Sequence, residues 1–153
     1  MKSIKEIIEV KGFEALESDH IRIENSPYMP LVIESIGRDE KGNHLISVCH
    51  YSEQNGDTMR APEYVFRVVT EKRLKTPTLK QALNGKKSEI VDVEKWIPVY
   101  YRNDFVGIEQ NVIERPHLQL STGGFEKIWD KNIKEQGFIQ KYKDDVARLF
   151  ETA

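Results

Sequence analysis

The chain holds a single cysteine, Cys49, which excludes an internal disulfide and a cysteine-based zinc knuckle and fits a reducing compartment. A cytoplasmic location is therefore expected. Long apolar runs are missing too: the opening MKSIKEIIEVKGFEALE interleaves charges with its apolar residues, so it reads as neither a signal peptide nor a membrane span. Nor is there an excess of charge of one sign. Lysine and arginine number 23 against 25 aspartates and glutamates, a net charge of -2, which removes the global positive field that drives non-specific nucleic-acid binding. No HExxH, no calcium-loop spacing and no internal repeat is present, and the glycines of STGGFEK lack the GK-Ser/Thr half of a phosphate loop, so they read as a helix start.

What is present suits one domain spanning residues 1–153: 39% hydrophobic and 31% charged residues can build a packed core without disulfides or a structural metal. Ser3 is placed to cap a first helix, with Ile4, Ile7 and Ile8 at helical spacing and Gly12 ending it. The period then changes to two at Ile21 and Ile23, and SPYMP interrupts the ladder because proline has no amide hydrogen to donate. Leu31 to Ile36 predicts a second strand, and GRDEKGN a surface turn. From His44 to Tyr51, Ile46 and Val48 share one face while Leu45, Ser47, Cys49 and Tyr51 share the other. Asn55-Gly56 favours a tight turn before Tyr64, Phe66 and Val68 resume the alternation.

Between Glu71 and Ser88 the composition turns locally basic with little apolar surface, which predicts a projecting loop or short helix with Thr78 as cap for LKQAL. Strands resume at IVDVEKWIPVYY and VGIEQNVIE, with Ile97, Val99 and Tyr101 expected on one face and Val106, Ile108 and Val112 on another. After Pro116 the spacing of Phe125, Ile128, Trp129, Asn132 and Ile133 predicts a helix capped by Ser121 or Thr122 and closed at Gly137. Ile139, Tyr142, Val146, Leu149 and Phe150 stripe a last one. Strands grouped centrally with helices at the ends predict an α+β domain. The domain is expected to hold a mainly antiparallel sheet of about six strands, with an N-terminal helix and two C-terminal helices on one face.

Chemistry-bearing residues concentrate in HYSEQNGDTMRAPEYVF, where His50, Glu53, Asp57 and Glu63 stand within one short stretch, with Asp104 and Glu109 able to approach from later strands. An imidazole and carboxylates are ligands for a divalent metal, and a metal-dependent hydrolase or nuclease would use Asp57, Glu63 and Asp104 as ligands and His50 as base. A hairpin explains the same residues at lower cost, because turns collect polar residues and Asn-Gly supplies the required dihedrals. His20, His44 and His117 are scattered and read as surface or hydrogen-bonded groups, and Cys49 as buried and inert. Trp96, Tyr100, Tyr101 and Phe105 beside Arg102 form an aromatic run suited to a protein interface or to stacking nucleobases. Lys72, Arg73, Lys75, Lys80, Lys86 and Lys87 offer phosphate contacts.

The segments YMPLVIE (Tyr28 to Glu34), HYSEQNGDTMRAPEYVF and WIPVYYRNDFVG (Trp96 to Gly107) resemble an uncharacterised family of small proteins from bacterial phages, plasmids and integrative elements. The resemblance covers the middle two thirds of the chain. Its pattern is an aromatic followed by QNGD, a PE pair, and a later W-x-P with an aspartate. Ala61 departs from a DPE form of that pattern, leaving Asp57, Glu63 and Asp104 as the matching acidic positions. The resemblance implies no particular activity. The expected function is a soluble accessory protein of a mobile element, non-enzymatic, binding a protein partner or a second copy of itself through Trp96, Tyr101 and Arg102. The metal-dependent enzyme and a nucleic-acid-binding protein are the alternatives, and no membrane association is expected.

Overall fold

The computed structural model describes residues 1–151. Two short helices, α1 (Lys2–Glu9) and α2 (Phe13–Ser18), lead into a sheet of six strands in the order of the sequence, every neighbouring pair antiparallel. The strands are β1 (Ile21–Ile23), β2 (Leu31–Arg38), β3 (His44–Gln54), β4 (Asp57–Lys75), β5 (Glu89–Asn103) and β6 (Ile108–Asn111). A short helix α3 (Leu79–Leu83) sits between β4 and β5, and α4 (Phe125–Glu135) and α5 (Phe138–Glu151) close the chain. The α+β class, the antiparallel sheet, the N-terminal helix and the two C-terminal helices are as the sequence predicts.

Period two explains why the helices gather on one side. Ile21, Ile23, Leu31, Ile33, Ile46, Val48, Tyr64, Phe66 and Val68 all fall on one face of the sheet, where they meet Ile4, Ile7 and Ile8 of α1, Trp129 and Ile133 of α4, and Phe138, Tyr142 and Val146 of α5. The opposite face is only partly covered. There Leu45, Val65 and Val99 are sealed by Val112 and Ile113, which follow β6, and the Arg67 guanidinium donates to the Ile113 carbonyl at 2.6 Å. The turn between β3 and β4 has Asn55 at φ 53° and Gly56 at φ 83°, the left-handed pair that lets a two-residue turn follow the twist of its strands.

Several expectations are corrected. Ser3 does not cap α1: Met1 holds that position, and Ser3 lies inside the helix. Its amide donates to the Asp130 carboxylate and its hydroxyl to the Asp130 carbonyl, each at 3.0 Å, so a side chain of α4 satisfies the free end of α1. Neither Ser121 nor Thr122 caps α4; Gly124, at φ 75°, precedes it, and the Thr122 hydroxyl bonds Glu126 instead. Ile97, Val99 and Tyr101 do not share a face. Phe66 pairs with Pro98 and Val65 with Tyr100, so Val99 is an extra residue opposite no partner, and the bulge turns Tyr101 to the helix side. Val106 belongs to the turn before β6 rather than to a strand.

The basic segment is also more ordered than a loop. Glu71 to Lys75 continue β4 and pair residue for residue with Val93 to Glu89. Because β3 ends at His44, opposite Val68, and β6 pairs with β5 only from Tyr100 onward, this part of β4 and β5 stands clear of the sheet as a two-stranded arm. Thr78 caps α3 at its tip as predicted, in a reciprocal pair of hydrogen bonds with Gln81.

Candidate functional site

On the open face, β3, β4 and β5 place Cys49, Glu63 and Arg102 side by side, since Cys49 pairs with Glu63 and Glu63 with Arg102. Glu63 is buried, and both its oxygens are taken: the Ser47 hydroxyl donates to Oε1 at 3.1 Å and Arg60 Nη1 to Oε2 at 2.9 Å. Register irregularities between Cys49 and Tyr51, where the partner strand passes through Ala61 and Pro62, bring Arg60 back to the side of Glu63. Asp104, in the turn after β5, accepts from the Arg60 amide at 2.8 Å and from Arg102 Nε at 2.6 Å. Burial pushes the Asp104 carboxyl up, but the Arg102 guanidinium and the Arg60 amide outweigh it and leave the group below the usual carboxylate range.

Beside this cluster Cys49 and Tyr51 stay protonated. Burial, reinforced by the Glu63 carboxyl, pushes the Cys49 thiol up to about 12, and burial raises the Tyr51 phenol to about 12. Cys49 is accordingly expected to resist a thiol reagent such as dithionitrobenzoate in the native protein at pH 8 and to react within seconds once urea unfolds it. A native rate close to the unfolded one would show that the face opens around it.

The structure brings Glu63, Asp104 and Arg102 together and sets the other candidates elsewhere. His50 faces the helices, its ring 5.5 Å from both Trp129 and Phe138, with Nδ1 at 3.1 Å from the Met29 carbonyl and 3.3 Å from that of Pro30. Two acceptors hold the proton on Nδ1, and burial keeps the imidazole below its usual range, hence neutral at pH 7. Asp57 is exposed at the start of β4, paired with Gln54, and at about 3.3 Å per residue lies roughly 15–20 Å along the strand from Glu63. Among the described residues, no three histidine, cysteine, aspartate or glutamate side chains stand close enough to hold a metal ion. A concavity of about 530 Å³ beside the hairpin is lined by Arg22, Pro30, Tyr51, Ser52, Glu53 and Thr58, with neither Glu63 nor Asp104 in its wall.

Trp96 and Tyr101 also point to the helix side. Trp96 packs on Phe13 and Phe66 and donates its indole hydrogen to Glu94 at 2.8 Å; Tyr101 lies 4.9 Å from the Tyr64 ring. Arg102 is alone of the three on the open face. Trp96, opposite Val68, stands where the arm leaves the sheet and anchors its base.

Reading the sequence foresaw the projection and its short helix but missed that paired strands carry them. All the arm's cations, Lys72, Arg73, Lys75, Lys80, Lys86 and Lys87, are exposed. So are Leu74 (65%), Leu79 (78%), Leu83 (79%) and Ile90 (73%), the first and last of which are cross-strand partners. A signal was available in mirrored charges, since Lys72 faces Asp92 and Lys75 faces Glu89 across the tip.

Among the described residues no helix is long and apolar enough to cross a membrane. Comparison with curated proteins and with solved structures finds no match. The model of one family, a domain of unknown function (DUF6908), matches residues 2–139, from α1 through the whole six-stranded meander to α4 and the first two residues of α5, and the chain belongs to that family.

Proposed function

We propose that this chain is a non-enzymatic binding module, a cytoplasmic accessory protein of a mobile element, that engages its partner through the β4–β5 arm. The observation that carries this reading is the arm itself. Four large apolar side chains at 65–79% exposure, on an element that projects beyond β3 and β6, are surface that a solitary folded domain gains nothing by presenting. The open-face cluster supports it from below. With Glu63 and Asp104 engaged by Arg60, Arg102 and Ser47, these side chains bind β3 to β4 and to the turn after β5. Arg102 thus acts by holding the sheet from which the arm springs, and Trp96 by fixing its base.

Changing Leu74, Leu79, Leu83 and Ile90 together to serine tests this. Each is exposed, so each change should cost about 0.5 kcal/mol or less, about 2 kcal/mol at most for the four together, and the fold should survive. Sedimentation of the parent, alone and in extract of its bacterial host, is expected to show a species heavier than the monomer, lost in the serine variant. A parent that sediments as a monomer in both, or a heavier species that the variant retains, sinks the reading.

A further inference from the structure

We infer that the β4–β5 arm is a duplex-DNA-binding element, its cations meeting the phosphate walls of a groove and its apolar side chains the edges within; this rests on the arm being the binding element. Charge is the first support. Between residues 71 and 93 six cations stand against three carboxylates, a local net charge of +3 on a chain whose total is -2, so the rest carries -5. Of the six, only Arg73 is held in an ion pair among the described residues, with Glu71; the five lysine ammonium groups are free of one. Such segregation turns the arm toward a polyanion while the acidic body is repelled, which orients the approach.

The placement of the cations selects a groove over a flat anionic surface. Alternation from Val68, which lies in the helix-side core, puts Lys72 and Leu74 on one face of the ribbon and Arg73 and Lys75 on the other, with Lys80, Lys86 and Lys87 around the tip. A bilayer meets one face only. A DNA groove has phosphates on both sides, and the major groove, about 12 Å wide, admits a two-stranded ribbon. The clear part of the arm, residues 71–75 with their partners, extends roughly 15 Å at about 3.3 Å per residue, longer than the groove is deep. Leu74, Ile90, Leu79 and Leu83 then lie where thymine methyl groups or an opened base step accept apolar contact.

Fluorescence anisotropy with a labelled 30-base-pair duplex tests this on the full chain. Binding is expected at 50 mM KCl and should weaken by roughly a hundredfold or more at 200 mM, because about four to five phosphate contacts each release a counterion. The variant carrying Lys75→Glu, Lys80→Glu, Lys86→Glu and Lys87→Glu should lose at least a hundredfold in affinity with its melting temperature unchanged. A matched control with Lys11→Glu, Lys127→Glu, Lys131→Glu and Lys134→Glu should lose far less. Absence of binding at 50 mM, equal losses in the two variants, or binding to phosphatidylserine vesicles without binding to duplex would each overturn the inference. The serine variant separates the two levels: if duplex is not bound while the heavier species still depends on the arm, only the DNA assignment falls. If neither depends on it, the arm loses its binding role as well.

Discussion

Tyr64→Ala is expected to destabilise the fold by about 3–5 kcal/mol, the range for deleting a large aromatic from a packed core. At 2–4 °C per kcal/mol this lowers the melting temperature by roughly 6–20 °C. Tyr64 is wholly buried, and its ring lies 5.5 Å from that of Phe66, 4.9 Å from Tyr101 and 5.6 Å from Trp129. It therefore joins the middle of β4 to β5 and to α4, and alanine leaves a hole that three rigid neighbours on different elements cannot close together. Tyr64→Phe is the informative companion. The hydroxyl is buried and has no hydrogen-bond partner of good geometry among the described residues, so removing it should change stability by less than about 1 kcal/mol or raise it. Urea unfolding of both variants checks the pair. A loss below about 1.5 kcal/mol for Tyr64→Ala would mean that α4 is not seated on the sheet at this point.

The same ring shows why the core was legible from sequence. Tyr64, Phe66 and Val68 alternate, as do Ile46 and Val48, and alternation survives because each strand has one face under helices. Period two also placed His50 with Ile46 and Val48, and Cys49 opposite, so the separation of His50 from Glu63 was contained in the pattern. The proximity of residues within one polar stretch obscured it. Where the arm leaves the sheet that logic fails. Neither face of residues 71–75 is covered, so no apolar residue is required at every second position, and a strand with two wet faces looks like a loop. The bulge at Val99 was hidden for another reason. Both Val99 and Tyr100 pack on the open-face cluster of Leu45 and Val65, and an inserted residue leaves composition unchanged while shifting every face that follows it. Arg60 escaped notice because its contact with Glu63 depends on the local irregularity at Ala61 and Pro62, which no spacing rule encodes.

Asp39→Ala is expected to cost about 3 kcal/mol, toward the lower end of what breaking a largely buried ion pair costs, because some water reaches the site. Asp39 opens the turn between β2 and β3. Its Oδ1 accepts from the Lys41 and Asn43 amides at 2.9 Å each, and its Oδ2 from the Asn43 side chain at 3.0 Å; Oδ2 also lies 2.8 Å from Arg67 Nε. With the two side chains only 11% and 12% exposed, alanine would strand the Arg67 guanidinium against the Ile113 carbonyl and loosen the segment that seals the open face. Asp39→Asn keeps the oxygen that accepts from the Lys41 and Asn43 amides but sets an NH2 where Oδ2 met the Asn43 side chain and Arg67, so it should cost less than alanine, and the difference reports that one turn acceptor. The pH dependence separates the terms further. Burial pushes the Asp39 carboxyl up, but the Asn43 and Lys41 hydrogen bonds and the Arg67 charge outweigh it and hold the folded group below the usual carboxylate range. The unfolded chain therefore binds the proton more readily. The stability Asp39 contributes as an anion is complete above the unfolded value and drains away as pH falls through the folded one. The gap between parent and Asp39→Ala should stay constant from pH 7 to about 5 and narrow below about 4. A gap that persists undiminished to pH 2 would mean that the side chain works only as a neutral turn acceptor and that Arg67 is held by the Ile113 carbonyl rather than by charge.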